Sequence, residues 1–151
     1  MSFTTEDKTR QTVKQFRSFN VDTQLGLLWF GYLDIKDKLT PTNANSSQTT
    51  AAAVFNQIQA LPKEEQLQAQ RDIAGCVDTP ISRMYGSLDS SAKLDVWLRL
   101  AQAMEKGTVI QVPSDYQLPS ETKDFVDSIT GLDFESRINF MRSVAFEMGV
   151  K

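Results

Sequence analysis

Along this chain apolar residues recur at three- and four-residue spacings, and short polar stretches carrying capping residues, proline or glycine separate the runs. Such a pattern predicts amphipathic helices. A polar first helix is expected from about Thr5 to Phe19, with a thin apolar stripe of Val13, Phe16 and Phe19. Asn20 or Asp22 can cap a second helix running to about Lys38. There Leu25, Leu27, Leu28, Trp29, Phe30, Tyr32, Leu33 and Ile35 point in nearly every direction, which predicts a helix buried all round. Thr40–Ser47 reads as a loop, and Ser46 or Ser47 opens a third helix with Ala51, Val54, Phe55 and Ile58 on one side. Pro62 suits the first position of a fourth helix, and Glu64 and Glu65 match its dipole. Asp78-Thr79-Pro80 starts a fifth, with Ile81, Met84, Tyr85 and Leu88 in a stripe. Ser90 or Ser91 starts a sixth, whose stripe is Leu94, Trp97, Leu98, Ala101 and Met104 and whose end is marked by Gly107. Thr108–Pro113 is short and β-branched and is expected to cross in extended form. Ser120 opens a helix closed by Gly131. Asp133 opens the last, with Ile138, Met141, Ala145 and Met148 on one face. The expectation is an all-α chain of about eight helices, one domain over 1–151 with an N-terminal arm at 1–14, and no repeat at solenoid period.

Composition narrows the function classes. The net charge is −3, which argues against nucleic acid, whose phosphates need concentrated positive charge. No apolar run reaches the length that spans a bilayer. The N-terminal residues lack a signal core, so a cytoplasmic location is expected. There is no histidine, which removes His-based acid–base work and His metal ligation. Cys76 is the single cysteine, so no intramolecular disulfide can form, and an inert thiol, at the surface or half-buried, is its simplest reading. No P-loop, GxSxG, GxGxxG or EF-hand pattern occurs, and no enzyme activity is expected.

What remains is aromatic. Trp29 and Tyr32 lie at i,i+3 and share a face, Trp97 sits in mid-stripe, and Tyr116 follows the extended segment. Flat apolar ligands stack on such rings, although core aromatics are the commoner use of the same spacing. Met84, Met104, Met141 and Met148 could line an adaptable pocket or fill the core. Arg137 and Arg142 read most simply as surface charges.

The stretch Leu25-Gly26-Leu27-Leu28-Trp29-Phe30-Gly31-Tyr32-Leu33 resembles the signature helix of the orange carotenoid protein N-terminal domain. Asp78-Thr79-Pro80, Lys93-Leu94 with Trp97, Met104 before Gly107, Val112-Pro113, Tyr116-Gln117-Leu118, Ile129-Thr130-Gly131-Leu132, Arg142 and Met148-Gly149 look like successive landmarks of that domain. The stand-alone versions, the helical carotenoid proteins, are the nearest description of the whole pattern. The resemblance implies two intertwined four-helix bundles around a carotenoid tunnel. It implies one non-covalent ketocarotenoid per chain, such as canthaxanthin or echinenone, and a photoprotective role as a singlet-oxygen quencher.

Carried over by position, the resemblance implies pigment contacts from Leu25, Leu28, Trp29 and Tyr32. It implies others from Leu94, Trp97, Leu98, Ala101 and Met104, from Val112, Pro113 and Tyr116, and from Ile138 and Met141. Arg142 matches an arginine that in the two-domain relatives pairs with the second domain or faces the phycobilisome. Quenching of phycobilisome excitation is therefore an alternative function, and a homologue of the second domain is an implied carotenoid donor. No such domain follows Lys151, from which little or no photoswitching is expected. Gln70 and Arg71 depart from an apolar, sulfur-containing pair, Leu98 replaces an aromatic and Leu88 a tryptophan. A pigment-free helical adaptor is the reading outside this family.

Overall fold

The structure, a computed structural model, describes residues 2–36, 46–112 and 116–150. The expected loop from Thr40 extends outside these residues, as do Lys38, the expected end of the second helix, and Pro113. Among the described residues there are eight α-helices and no strand. They are α1 (Ser2–Ser18), α2 (Val21–Ile35), α3 (Ser46–Gln59), α4 (Lys63–Ala74), α5 (Pro80–Gly86), α6 (Ser90–Lys106), α7 (Lys123–Thr130) and α8 (Phe134–Glu147). A 3-10 turn at Ser120–Thr122 leads into α7.

Local chemistry sets most of these boundaries. The side chains of Asn20, Thr79, Asp89 and Asp133 each accept a hydrogen bond from the backbone N–H three residues on, satisfying a donor that the first helical turn leaves unpaired. α6 begins at Ser90, one of the two expected serines, and Asp89 before it is the cap, its carboxylate accepting from Ala92 N–H at 2.8 Å. Other starts differ from the sequence reading: α1 begins at Ser2 rather than about Thr5, and Ser120 opens the 3-10 turn while α7 begins at Lys123. Pro62 sits just before α4 rather than inside it, in extended backbone with ψ 154°. At the far end of α6, Gly107 adopts φ 81°, the left-handed turn that glycine allows without a Cβ clash.

Packing interleaves the helices into two bundles. α1 lies on α8 and touches α7, while α3, α4 and α5 pack on one another. α6 joins the two groups, lying against α3 on one side and α8 on the other, and α2 bridges α4 and α6. Between α1, α7 and α8 the rings of Phe16, Phe125 and Phe140 meet at centroid distances of 5.7–6.1 Å in tilted and edge-on poses, a favoured aromatic geometry. The C-terminal residues cross α5 at close range. Gly149 N donates to Ile73 O at 2.9 Å, and a Cβ on Gly149 would lie 2.6 Å from Tyr85 Cδ1. Gly149 has φ 85° as well, so backbone angle and space both call for glycine here.

Candidate functional site

The apolar faces of α2 do not all bury. Leu27, Leu28, Tyr32 and Ile35 enter the core, whereas Leu25, Trp29, Phe30 and Leu33 are half-buried. This corrects the expectation of a helix buried all round. Residues from both sets border a series of adjoining spaces.

At the centre is a cavity of about 20 Å³ between α2 and α6. Leu25, Leu28, Trp29 and Tyr32 wall it from α2. Trp97, Leu98, Leu100, Ala101 and Met104 do so from α6, with Gln70 from α4 and Met141 from α8. Trp29 and Met104 also bound a groove of about 830 Å³ that reaches Phe30, Leu33, Ile110, Val112 and Tyr116. Leu25, Gln70 and Met104 also bound a cavity of about 300 Å³ under Ile110, Val112 and Tyr116. In the opposite direction Leu28 and Met141 are shared with a space of about 60 Å³ beside Phe16, Phe125 and Phe140. The shared walls set these spaces side by side, lined mostly by apolar side chains.

The polar tips of Tyr32 and Trp97 are tied back, so that each ring is free to present its face. Trp29 and Tyr32 stack at 6.0 Å with planes 27° apart. The Tyr32 hydroxyl donates to Glu105 at 2.5 Å, and Lys36 completes the group by pairing with Glu105 at 2.8 Å. Burial, then the Glu105 carboxylate, pushes the Tyr32 phenol up to about 12. Lys36, then Tyr32, holds Glu105 below its ordinary value. The Trp97 indole N–H donates to Tyr85 Oη at 2.9 Å, and that hydroxyl donates in turn to Ala145 O. Tyr85 is fully buried, and desolvation pushes its phenol far upward. Tyr116 stacks on Phe30 at 6.3 Å, and burial followed by the Asp22 carboxylate raises its phenol.

The structure brings together Leu25, Leu28, Trp29, Tyr32, Trp97, Leu98, Ala101, Met104 and Met141 around the central cavity, with Val112 and Tyr116 on the adjoining spaces. Leu94 is buried and Ile138 half-buried against the core, and neither lines these spaces. Arg142 lies elsewhere, in a groove of about 840 Å³ with Arg10, Lys14 and Arg17. It is not a simple surface charge, because its Nε is buried and has no hydrogen-bond partner among the described residues. Arg137 also departs from that reading. It donates to Thr130 O and Leu132 O, where the unpaired carbonyls at the end of α7 attract a cation.

Sequence reasoning passed over Gly26, Leu67 and Ile110 as wall residues. A Cβ on Gly26 would stand 2.7 Å from Tyr116 Cε2, so glycine lets the Tyr116 ring lie against α2. A glycine in mid-helix costs about 1 kcal/mol relative to alanine, and that cost was the available signal. Ile110 is held in place by a 2.8 Å bond from its N–H to Gln66 Oε1. Among the described residues no group of three or more His, Cys, Asp or Glu could hold a metal ion, and no helix is long and apolar enough to cross a membrane.

An all-helical fold around adjoining, aromatic-walled apolar spaces is that of a class of hydrophobic-ligand sheaths. The family model described as orange carotenoid protein, N-terminal, matches residues 2–151, and the chain belongs to that family. It is 35% identical to an orange carotenoid-binding domain-containing protein of Nostoc sp. PCC 7120, over 97% of this chain and 86% of the relative. It is 34% identical to the orange carotenoid-binding protein of Synechocystis sp., over 91% of this chain and 44% of the relative. Among solved structures, the Anabaena (Nostoc) sp. PCC 7120 red carotenoid protein binding canthaxanthin superposes with a TM-score of 0.84 at 36% identity, covering 95% and 99% of the two chains. The orange carotenoid protein of the same organism binding canthaxanthin gives 0.88 at 29% identity, over 96% and 47%.

Proposed function

We propose that this protein binds one carotenoid non-covalently along the adjoining spaces between α2 and α6, and that its activity is quenching of singlet oxygen. The observation that carries the reading is a row of adjoining spaces that share Trp29, Met104, Leu28 and Met141 as walls, in a chain whose solved relatives include proteins that bind canthaxanthin. A helix of 17 residues, the length of α6, spans roughly 25 Å, which suits a long conjugated rod. A bound polyene supplies a low-lying triplet state that takes up the energy of singlet oxygen and releases it as heat.

The chain's own residues bind, orient and exclude water. Trp29, Tyr32 and Trp97 offer ring faces, with the Tyr32 and Trp97 donors satisfied by Glu105 and Tyr85. Met104 and Met141 are unbranched and repack around an elongated guest. Tyr116 and Val112 cover the side opposite α4. A ketocarotenoid such as canthaxanthin or echinenone is the expected pigment, delivered by a homologue of the second domain of the longer relatives.

Expression in a carotenoid-producing host, followed by an absorption spectrum and organic extraction, tests this. Intact extractable pigment at one per chain is expected. A colourless protein after carotenoid is offered would favour a pigment-free adaptor, and pigment that stays on denatured protein would overturn non-covalent binding. Accelerated decay of singlet-oxygen phosphorescence by the holoprotein tests the quenching.

A second reading, quenching of phycobilisome excitation, draws on the groove beside Arg142. Its walls carry four cationic side chains, Arg10, Lys14, Arg17 and Arg142, against the one carboxylate of Glu147, with the exposed ring of Phe146 among them. A local basic face of this kind can dock an acidic surface despite the net charge of −3. Phycobilisome fluorescence measured with the same holoprotein separates the two. Strong antenna quenching, with oxygen quenching no better than a protein blank, would reverse the order.

A further inference from the structure

Gln70 belongs to α4 and is almost wholly buried, with 1% of its surface exposed. Its side chain lines both the central cavity and the adjoining space under Tyr116. Its amide nitrogen has no hydrogen-bond partner among the described residues. Four donors bordering these spaces are engaged: Tyr32 with Glu105, Trp97 with Tyr85, Arg71 with Asp22, and Gln111 Nε2 with Met104 O. A buried N–H without a partner is costly, and such groups are uncommon in folded proteins. An apolar rod could be sheathed as well by a methionine or leucine at this position, and neither would carry that cost. The amide therefore makes sense where the guest brings an acceptor to it.

We propose that the Gln70 amide donates a hydrogen bond to an oxygen on the ring of the bound carotenoid, so that the site favours oxygenated carotenoids over hydrocarbon ones. This rests on the carotenoid-binding reading above. It seats one oxygenated ring where the central cavity meets the space beneath Ile110 and Tyr116, and it makes Gln70 a specificity-determining residue. No proton is transferred; the carbonyl or hydroxyl oxygen accepts and the amide donates.

The full chain offered an equimolar mixture of canthaxanthin and β-carotene tests the idea, with the bound pigments separated by chromatography. Wild type is expected to be enriched about tenfold in canthaxanthin, equivalent to 1.4 kcal/mol, and to show a carbonyl stretch shifted down from its position in apolar solvent. Gln70→Met is expected to lose most of the enrichment and to raise that stretch in the canthaxanthin it takes up. Gln70→Asn, one carbon shorter and still polar, is expected to behave likewise and serves if the methionine variant does not fold. A variant that keeps both the enrichment and the shifted stretch would overturn the proposal, as would a wild type that takes up both pigments equally. Wild type that takes up neither would overturn the carotenoid-binding reading instead.

Discussion

Tyr32 shows how one side chain serves packing and the site together. Its ring belongs to the stacked pair with Trp29 and its hydroxyl is committed to Glu105. Raising the phenol from 10.0 to about 12 means that the folded chain holds this proton more tightly than the unfolded chain does. Between those values the native state binds more protons, so its stability falls as pH rises through that window and is unaffected by this group below it. Ultraviolet titration should therefore show one tyrosine ionising near pH 12, and Tyr32→Phe should remove that step. A Tyr32 signal ionising near pH 10 in the folded protein would contradict the Glu105 bond. Trp97 can be tested through binding. Trp97→Ala removes a buried indole, costs about 3–5 kcal/mol, and should weaken pigment retention at temperatures where circular dichroism still shows a folded chain. Unchanged retention there would remove Trp97 from the site. Both aromatics were visible in the sequence, through i,i+3 spacing and resemblance. The unpaired state of Gln70 was not, because it depends on helices distant in the chain closing around one amide.

At the level of elements, α2 carries two jobs on one rod. An apolar surface all round can mean a helix at the centre of a core or one that walls a cavity, and hydrophobic periodicity does not distinguish them. The capped starts of α2, α5 and α8 were legible because Asn, Thr and Asp act over three residues, whereas the contact between Gly26 and Tyr116 spans ninety positions. Gly26→Ala tests that contact. Alanine favours the helix by about 1 kcal/mol, but its Cβ would displace the Tyr116 ring from 2.7 Å. The expected result is a folded chain with weaker pigment retention and a Tyr116 more accessible to solvent quenchers. An unmoved Tyr116 with wild-type retention would show the contact to be incidental. Gly149→Ala should be harsher. It places a side chain at φ 85° and 2.6 Å from Tyr85, and the left-handed conformation alone costs about 1–2 kcal/mol. Urea denaturation measures the loss, and a change under 0.5 kcal/mol would mean that the C-terminal crossing of α5 is loose.

Across the whole molecule, stability and ligand binding are linked by geometry. The helix count could be read from the stripes, but not which stripe meets which; that pairing came from the resemblance, since periodicity gives each helix a face and no partner. In the folded chain α3, α6 and α8 form a packed column, while α2 with Ile110, Gln111, Val112 and Tyr116 walls the adjoining spaces. The central cavity holds only about 20 Å³, so a carotenoid seated there must move side chains such as Met104 and Leu98 and then pack against them. A ligand that binds only the folded state stabilises it by about 4 kcal/mol when present at a thousand times its Kd. For a chain of this size each kcal/mol raises Tm by about 2–4 °C. Holoprotein should therefore melt roughly 8–16 °C above apoprotein on those same two scales. The gain should also be uneven: hydrogen exchange should slow most in α2, in the Val109–Val112 stretch and on the cavity-facing side of α6, and least where α1 lies on α8. Equal protection everywhere would point to global stabilisation by a ligand outside these spaces. Protection confined to α1 and α8 would move the site to the basic groove beside Arg142.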